Sequence, residues 1–384
     1  MMNTVTASID VDALHHNFAV VRRHAPHSKI IAVLKANAYG HGLLQVANTL
    51  VQADAYAVAR LEEALVLRAN AITKPILVLG GFFSAEALSL LATHDLQTTL
   101  HTWEQLALLE QAELPTPIRV WLKLDTGMNR LGVRAQDLPA FVERLGRCKN
   151  LVQPCHFMTH FSQSDEQDNQ ATQQQIEAFN LLTAHLPGER AMANSAGILA
   201  WPGSRSDWIR PGIMLYGASP FGGQLATDHG LRPVMTLKSQ LIAIRECKQG
   251  ESVGYGAHWV AQRDTTLGVV AVGYGDGYPR MAPEGTPMLV NGRRVPIVGR
   301  VSMDMITVDL GPHASDQCGD EVTLWGEGLP VEQVAEKIGT IPYELLTRLT
   351  SRVFVALAQP CANAQPLANA DMPSYAGHAR RVTA

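Results

Sequence analysis

Lys35 closes the apolar run Ile30-Ile31-Ala32-Val33-Leu34 and is followed by a turn of small and polar residues, Ala36-Asn37-Ala38-Tyr39-Gly40-His41-Gly42. A lysine at a strand end commonly just reaches water. It becomes a chemical candidate when other groups gather at the same place, because a primary amine can hold an aldehyde as a Schiff base. The C-terminal ends of the other apolar runs supply Arg60, His101, Lys123 with Asp125, His160, Asn194 with Ser195, and Arg210. In a chain of net charge -4 this gathering of cationic and imidazole groups fits an anionic small molecule. "NSAG" offers the Ser195 hydroxyl and a short helix start, and "RPGI" offers Gly212, where backbone can approach closely. Hydroxyls and exposed N–H groups late in a barrel suit a phosphate. Lysine, phosphate cradle and facing cations together suggest pyridoxal phosphate. Arg210 is then a candidate partner for the pyridine nitrogen. Being always protonated, it would donate to that nitrogen without protonating it, and the ring would be a weaker electron sink than one facing a carboxylate.

The elements that must position these residues alternate over the first two thirds of the chain. Runs at 29–36, 55–61, 75–81, 96–102, 118–125, 151–160, 190–197 and 208–217 read as strands, and the segments between the first six and before the seventh carry apolar residues at helical spacing. Parallel strands with crossover helices follow, and eight of them make an α/β fold of the (β/α)8 TIM-barrel type. A doubly wound sheet is the rival, but no GxGxxG follows the first strand. After about residue 230 the texture changes to strands joined by short turns, with Asn291-Gly292 as a hairpin signal. The expected layout is a barrel over 1–230, whose first eight or so residues could pair with the second domain, a mainly-β domain over 231–358, and an extension over 359–384.

With 46% hydrophobic residues in 384, the chain can bury a large core. The charge balance gives no case for nucleic acid or an anionic membrane surface. No apolar run approaches the ~20 residues a membrane span needs, and the N-terminal residues lack the pattern of a signal peptide. Five cysteines, an odd number without metal-ligand spacing, suggest a reduced cytoplasmic chain in which they are small buried hydrophobes.

The segments "AVLKANAYGHG", "WLKLDTGMNRLG", "MTHF", "NSAG", "IRPGIMLYG", "VGYGAHW", "GYGDGYPR", "VGRVSMDM" and "YELLTRLTSR", in this order, resemble bacterial alanine racemase, a fold-type III pyridoxal-phosphate enzyme. The resemblance covers about residues 5 to 357. It implies interconversion of L- and D-alanine, supply of D-alanine for peptidoglycan, and a head-to-tail homodimer in which one subunit's β domain covers the other's barrel mouth. Carried over residue by residue, it makes Lys35 the Schiff-base lysine and Tyr255, in "VGYG", the second acid/base. Tyr39 and Tyr343 would contact the cofactor phosphate, with Ser195 and the backbone at Gly212 and Ile213 completing the cradle. Arg210 falls in the pyridine-partner position. Arg130 and the Met303 backbone N–H would hold the substrate carboxylate, and His160 would link Tyr255 to Arg210. Lys123 matches a lysine carbamylated in many family members, and Tyr274 and Arg280 match the lining of the access corridor. No metal is implied. Two enzymatic alternatives stay open, a racemase of broader specificity that includes serine and a fold-type III amino-acid decarboxylase. The decarboxylase has a carboxylate where this chain has Arg210. A non-catalytic pyridoxal-phosphate carrier would have the barrel alone.

Overall fold

A parallel strand covered on both faces needs no polar alternation, and this is why the barrel runs are rich in Val, Ile, Leu and Ala. The computed structural model describes residues 4–358, and the extension expected over 359–384 lies outside them. The chain opens with β1 (Thr6–Ile9) and α1 (Val11–His24). The barrel follows: β2 (Lys29–Val33), the short helical turn α2 (Lys35–Tyr39), α3 (Leu43–Thr49), β3 (Ala55–Val58), α4 (Leu61–Ala69), β4 (Ile76–Val78), α5 (Ala85–Thr93), β5 (Gln97–Leu100) and α6 (Trp103–Gln111). It continues through β6 (Val120–Lys123), α7 (Leu138–Arg147), β7 (His156–Met158), α8 (Ala171–Thr183), β8 (Arg190–Ala191), α9 (Ser195–Ala200) and β9 (Trp208–Ile209). Strands β2 to β9 form a closed parallel barrel. Closure places Ile30 opposite Ile209 and removes the doubly wound alternative.

Helix starts follow from the sequence. Asp10, Ser84, Thr102 and Asn194 each accept a backbone N–H from the first turn of α1, α5, α6 and α9. The late strands are shorter than the apolar runs that announce them. Residues 151–155 precede β7 as irregular backbone, 192–194 leave β8 to cap α9, and 213–216 form a 3-10 turn. For the last two, which follow their strands, the physical cause is the same. A strand ends where the chain must turn to present side chains at the mouth.

The second unit is mainly β: β10 (Met235–Cys247), β11 (Ser252–Val253), β12 (Trp259–Val260), β13 (Thr265–Val270), β14 (Pro287–Val290), β15 (Arg293–Pro296), β16 (Ile306–Gly311), β17 (Glu321–Trp325), α10 (Val331–Ile338), α11 (Pro342–Thr347) and β18 (Phe354–Leu357). The sheet order is β15-β14-β17-β10-β1-β18, with β13 and β16 built onto the far part of β10. The chain's first strand, β1, thus pairs antiparallel with β10 and parallel with β18. Asn291 and Gly292, both at positive φ, make the β14–β15 hairpin turn. No helix among the described residues is long and apolar enough to cross a membrane. Cys148, Cys155 and Cys247 are buried free thiols, whereas Cys318 is exposed, contrary to the expectation that all are buried.

Buried polar contacts tie the segment after the barrel to the rest. The fully buried Asn17 of α1 donates to Leu215 O and Arg232 O and accepts from Arg232 N. One carboxylate oxygen of Glu332, on α10, accepts from Ser219 N and Ala226 N. Gly217 sits between these anchors at φ +71, and a Cβ there would lie 1.7 Å from Arg232 O. Gly217→Ala should therefore cost at least ~2 kcal/mol and lower the apparent melting temperature by at least ~4 °C. Gly222, with open space around it, is the control. Thermal unfolding followed by circular dichroism checks this, and equal melting of the two alanine variants would refute it.

Candidate active site

Strand β2 delivers Lys35 into an unusual piece of backbone. Ala36, Asn37, Ala38 and Tyr39 all have φ between 52° and 54°, a left-handed helical turn of L-residues. Each such residue costs roughly 1–2 kcal/mol, so the surroundings must over-determine the turn. Glu63, near the start of α4, accepts from Ala36 N at 2.6 Å through one carboxylate oxygen and from Ala59 N and Arg60 N through the other. The Asn37 side chain accepts from Leu43 N, and the His41 ring lies against the Ala38 and Tyr39 carbonyls. Gly40, at φ +82, lets the turn pass Leu346 of α11 so closely that a Cβ would lie 2.1 Å from its carbonyl oxygen. The Tyr216 hydroxyl donates to Val33 O at 2.8 Å, fixing the end of β2 itself.

The turn opens onto a cavity of about 630 Å³ at the barrel mouth. Lys35, Lys123, Arg130 and Arg210 line it, together with Tyr39, His160, Ser195, Gly212, Ile213 and Tyr343. None of the four cations forms an ion pair with a carboxylate among the described residues. The one carboxylate on the wall, Glu344, is engaged by Arg348 at 3.7 Å and by the Thr340 hydroxyl. Arg210 is buried, and its Nη atoms donate to the carbonyls of Ala191, Thr159 and Met192. Its Nε–H has no protein acceptor among the described residues. Burial lowers the guanidinium to about 10, still a cation at neutral pH.

Mutual repulsion and burial act on the amines. Lys35 is lowered from the ordinary lysine range, first by burial and then by Arg130, with Glu63 opposing and Arg210 adding a smaller push. Lys123 is lowered to about 8 by burial, then by Arg210 and Arg130. His160 is held well below its usual value by burial and then by the neighbouring cations, so its ring is neutral at pH 7. Across the cavity the Ser195 hydroxyl accepts from Gly212 N at 2.9 Å and from Met214 N at 3.3 Å. The Ile213 N–H between them has no acceptor in the protein among the described residues. A Cβ on Gly212 would lie 2.5 Å from the Tyr39 hydroxyl. Tyr39 stacks on Tyr216 with ring centroids 4.7 Å apart, and Tyr343 of α11 lies 6.1 Å from Tyr39. The arrangement gathers an amine of lowered basicity, three further cations and free N–H and hydroxyl donors around one cavity.

Of the residues expected at the site, ten line this cavity: Lys35, Tyr39, Lys123, Arg130, His160, Ser195, Arg210, Gly212, Ile213 and Tyr343. Tyr255, Tyr274, Arg280 and Met303 do not. They lie exposed on the β domain, Tyr255 in the β11–β12 turn with 68% of its surface open. Three residues read at the barrel rim do not line the cavity. Arg60 is exposed, and His101 bonds through Nε2 to Gly80 O and the Gln105 side chain. Asp125 accepts from Gly127 N and Asn129 N, shaping the loop that carries Arg130. Asn194 lines the cavity while its side chain caps α9. Sequence reading missed Glu63, His41 and Tyr216. Only Glu63 left a signal, a glutamate three residues into a helix, where it can reach back to free N–H groups.

Residues 9–220 match the family model described as alanine racemase, N-terminal domain, and residues 234–356 match alanine racemase, C-terminal domain. An alanine racemase of Aeromonas hydrophila is 69% identical over 92% of this chain and 99% of its own length. One of Vibrio vulnificus is 58% identical over 93% of this chain and all of its own. Among solved structures, the biosynthetic alanine racemase of Pseudomonas aeruginosa superposes with a TM-score of 0.90 at 44% identity, covering 93% of this chain and 100% of that one. With a closed barrel, a following β domain and a cation-lined mouth, the chain belongs to the alanine racemase family.

Proposed function

We propose that this alanine racemase works with pyridoxal 5′-phosphate held in the barrel mouth, and completes each site with a second subunit. The observation that carries the reading is the set of four cations around the cavity with no carboxylate paired to any of them. Such a site attracts anions, and a phosphate and a substrate carboxylate supply them. The residues fit the cofactor at both ends. Lys35 would hold the aldehyde carbon. Ser195, the free Ile213 N–H and the hydroxyls of Tyr39 and Tyr343 would take the phosphate. Gly212 contributes close approach rather than a donor, because its N–H is spent on Ser195. The unpartnered Nε–H of Arg210 would face the pyridine nitrogen.

Bound there, the cofactor supplies an electron sink that makes the Cα–H of an attached amino acid acidic. The chain must then move one proton. Racemisation removes it from one face of Cα and returns one to the other, so two bases on opposite faces are needed. Lys35 serves one face, and its lowered basicity helps it give and take a proton near neutral pH. Tyr255 of the partner subunit serves the other. Arg130 and the Met303 N–H of the partner subunit hold the carboxylate and so fix the direction of Cα–H. With Lys123 lowered to about 8, an appreciable fraction is free amine. That amine can add carbon dioxide to give a carbamate anion that orients Arg130. His160 would connect Tyr255 of the partner subunit toward Arg210, and the partner's Tyr274 and the partner's Arg280 would line the way in. A cytoplasmic enzyme of this kind supplies D-alanine for peptidoglycan.

Three outcomes test this reading. Borohydride reduction of the loaded enzyme should fix a pyridoxyl group on the peptide containing Lys35, seen by mass spectrometry, and a label on Lys123 alone would refute the assignment. Arg210→Glu would put a carboxylate where the guanidinium stands, and a carboxylate there would favour a protonated ring nitrogen. It should slow racemisation at least tenfold and raise the yield of pyruvate from alanine. An unchanged ratio of pyruvate formed to alanine racemised would count against Arg210 facing that nitrogen.

The shared site has its own test. Lys35→Ala and Tyr255→Phe homodimers should each be nearly inactive. When the two are unfolded, mixed in equal amounts and refolded, half the dimers are mixed, and each has one complete site. About a quarter of wild-type activity should return. Mixtures no more active than their parents would place both bases in one chain.

A further inference from the structure

The left-handed turn that aims Lys35 and Tyr39 is held at its start by Glu63, but its last carbonyl has a single donor. Tyr39 O accepts from His41 Nδ1 at 2.8 Å, and the same nitrogen lies 3.1 Å from Ala38 O. Both neighbours are acceptors, so Nδ1 must carry the proton. Nε2 is then a bare lone pair, and it is buried without any partner. The ring packs on Tyr216 with centroids 4.6 Å apart, and Tyr216 in turn stacks on Tyr39. The residue is fully buried, and the desolvated imidazole stays neutral, its pKa lowered to about 4. A leucine or phenylalanine would fill this space without leaving a buried nitrogen unsatisfied. The cost of keeping a histidine here is offset only at Nδ1.

We propose that His41 is a positioning residue of the racemase: its Nδ1–H holds the Tyr39 and Ala38 carbonyls, and so keeps the left-handed turn in the shape that presents Lys35 Nζ and the Tyr39 hydroxyl to the cofactor together. The inference rests on the proposed roles of Lys35 and Tyr39. It assigns His41 no contact with substrate. Without the donor, the buried Tyr39 carbonyl must find another partner, and residues 36–39 lose the restraint at the far end of the turn from Glu63.

His41→Asn and His41→Leu separate this role from packing. The two side chains are close in size and both lose the ring stack on Tyr216. Only the asparagine amide can replace the Nδ1–H donor. Three quantities would be read: the dissociation constant of the apoprotein for pyridoxal 5′-phosphate by fluorescence titration, kcat and KM for L-alanine, and the melting temperature. The leucine variant should bind the cofactor at least tenfold more weakly than the asparagine variant and turn over at least tenfold more slowly. Its KM for alanine should stay within about twofold, because the carboxylate is held elsewhere. Equal cofactor affinity and kcat in the two variants, or a rise in KM alone, would overturn the proposal. A measurement on the unaltered protein guards against variants that do not fold. Nitrogen-15 NMR of histidine-labelled enzyme should find one neutral ring protonated at Nδ1 from pH 5 to 9, coupled to the Tyr39 carbonyl. Protonation of His41 at Nε2, or its titration in that range, would equally overturn it. Wild-type protein that fails to capture the cofactor at Lys35 would sink the cofactor reading instead, leaving the two failures distinct.

Discussion

Unpaired positive charge at the barrel mouth is the constraint around which the rest of this protein is arranged. Lys35, Lys123, Arg130 and Arg210 repel one another, and three of them are buried or largely so. Water does not solvate the innermost, Arg210. The carbonyls of Ala191, Thr159 and Met192 do. Thr159 and Met192 lie just past β7 and β8, where their oxygens are free of the sheet, while Ala191 O serves both Arg210 and Thr159 N. The short late strands are thus part of the site. Burial, and after it this repulsion, has a chemical use as well, since together they move both lysines toward the neutral amine, the form that reacts with an aldehyde or with carbon dioxide.

A second constraint acts on the backbone. The amine and the tyrosine hydroxyl are presented from one turn whose last four L-residues lie in the left-handed region. Elements on both sides hold them there. Glu63 belongs to the barrel, whereas Leu346, whose carbonyl Gly40 passes, lies on α11, which follows the β sheet in the chain. Tyr343 arrives from the same helix. The β domain is therefore not an appendage to the barrel. Its last helix seals the site of its own chain, and its β11–β12 turn carries Tyr255 away from that site, into solvent.

The barrel was legible because a strand buried on both faces must be apolar throughout, and Ile30 to Leu34 or Val120 to Leu122 leave little else to read. Asn291-Gly292 gave the hairpin for an equally local reason, that type I′ turns need two positive φ angles. The rim was legible only in part. Lys35, Lys123, His160, Ser195 and Arg210 stand at strand ends and do reach the cavity, but so do Arg60, His101 and Asp125 stand at strand ends, and they do not. Position along a strand fixes the end of the barrel a residue occupies. It leaves the side chain's direction to packing that a linear pattern does not carry. His101 turns toward Gly80 and Gln105, partners far from it in pattern though near in space. The left-handed turn was illegible for a different reason. Ala36, Asn37 and Ala38 have no intrinsic preference for it beyond the tolerance of asparagine, and the groups that impose it, Glu63 and Leu346, lie 27 and 310 residues away from Ala36 in the sequence.

Why a racemase should place its two bases on separate surfaces follows from what one base does. A single group that removes a proton from Cα is best placed to return it to the same face, and little inversion results. The opposite face must be served by a group that the barrel, a cup open on one side, cannot supply from its own strands, because every strand end points into the same mouth. The second base has to come from above. A loop of the same chain could arch over, but α11 and Tyr343 already occupy the near rim, and the exposed β11–β12 turn carrying Tyr255 is not among the residues around the mouth. In the proposed dimer a twofold axis would solve this without new sequence: the turn that points away from its own mouth would enter the partner's, once for each subunit. On this reading the exposure of Tyr255, Met303 and Tyr274 in one chain is the complement of a mouth that lacks exactly those groups.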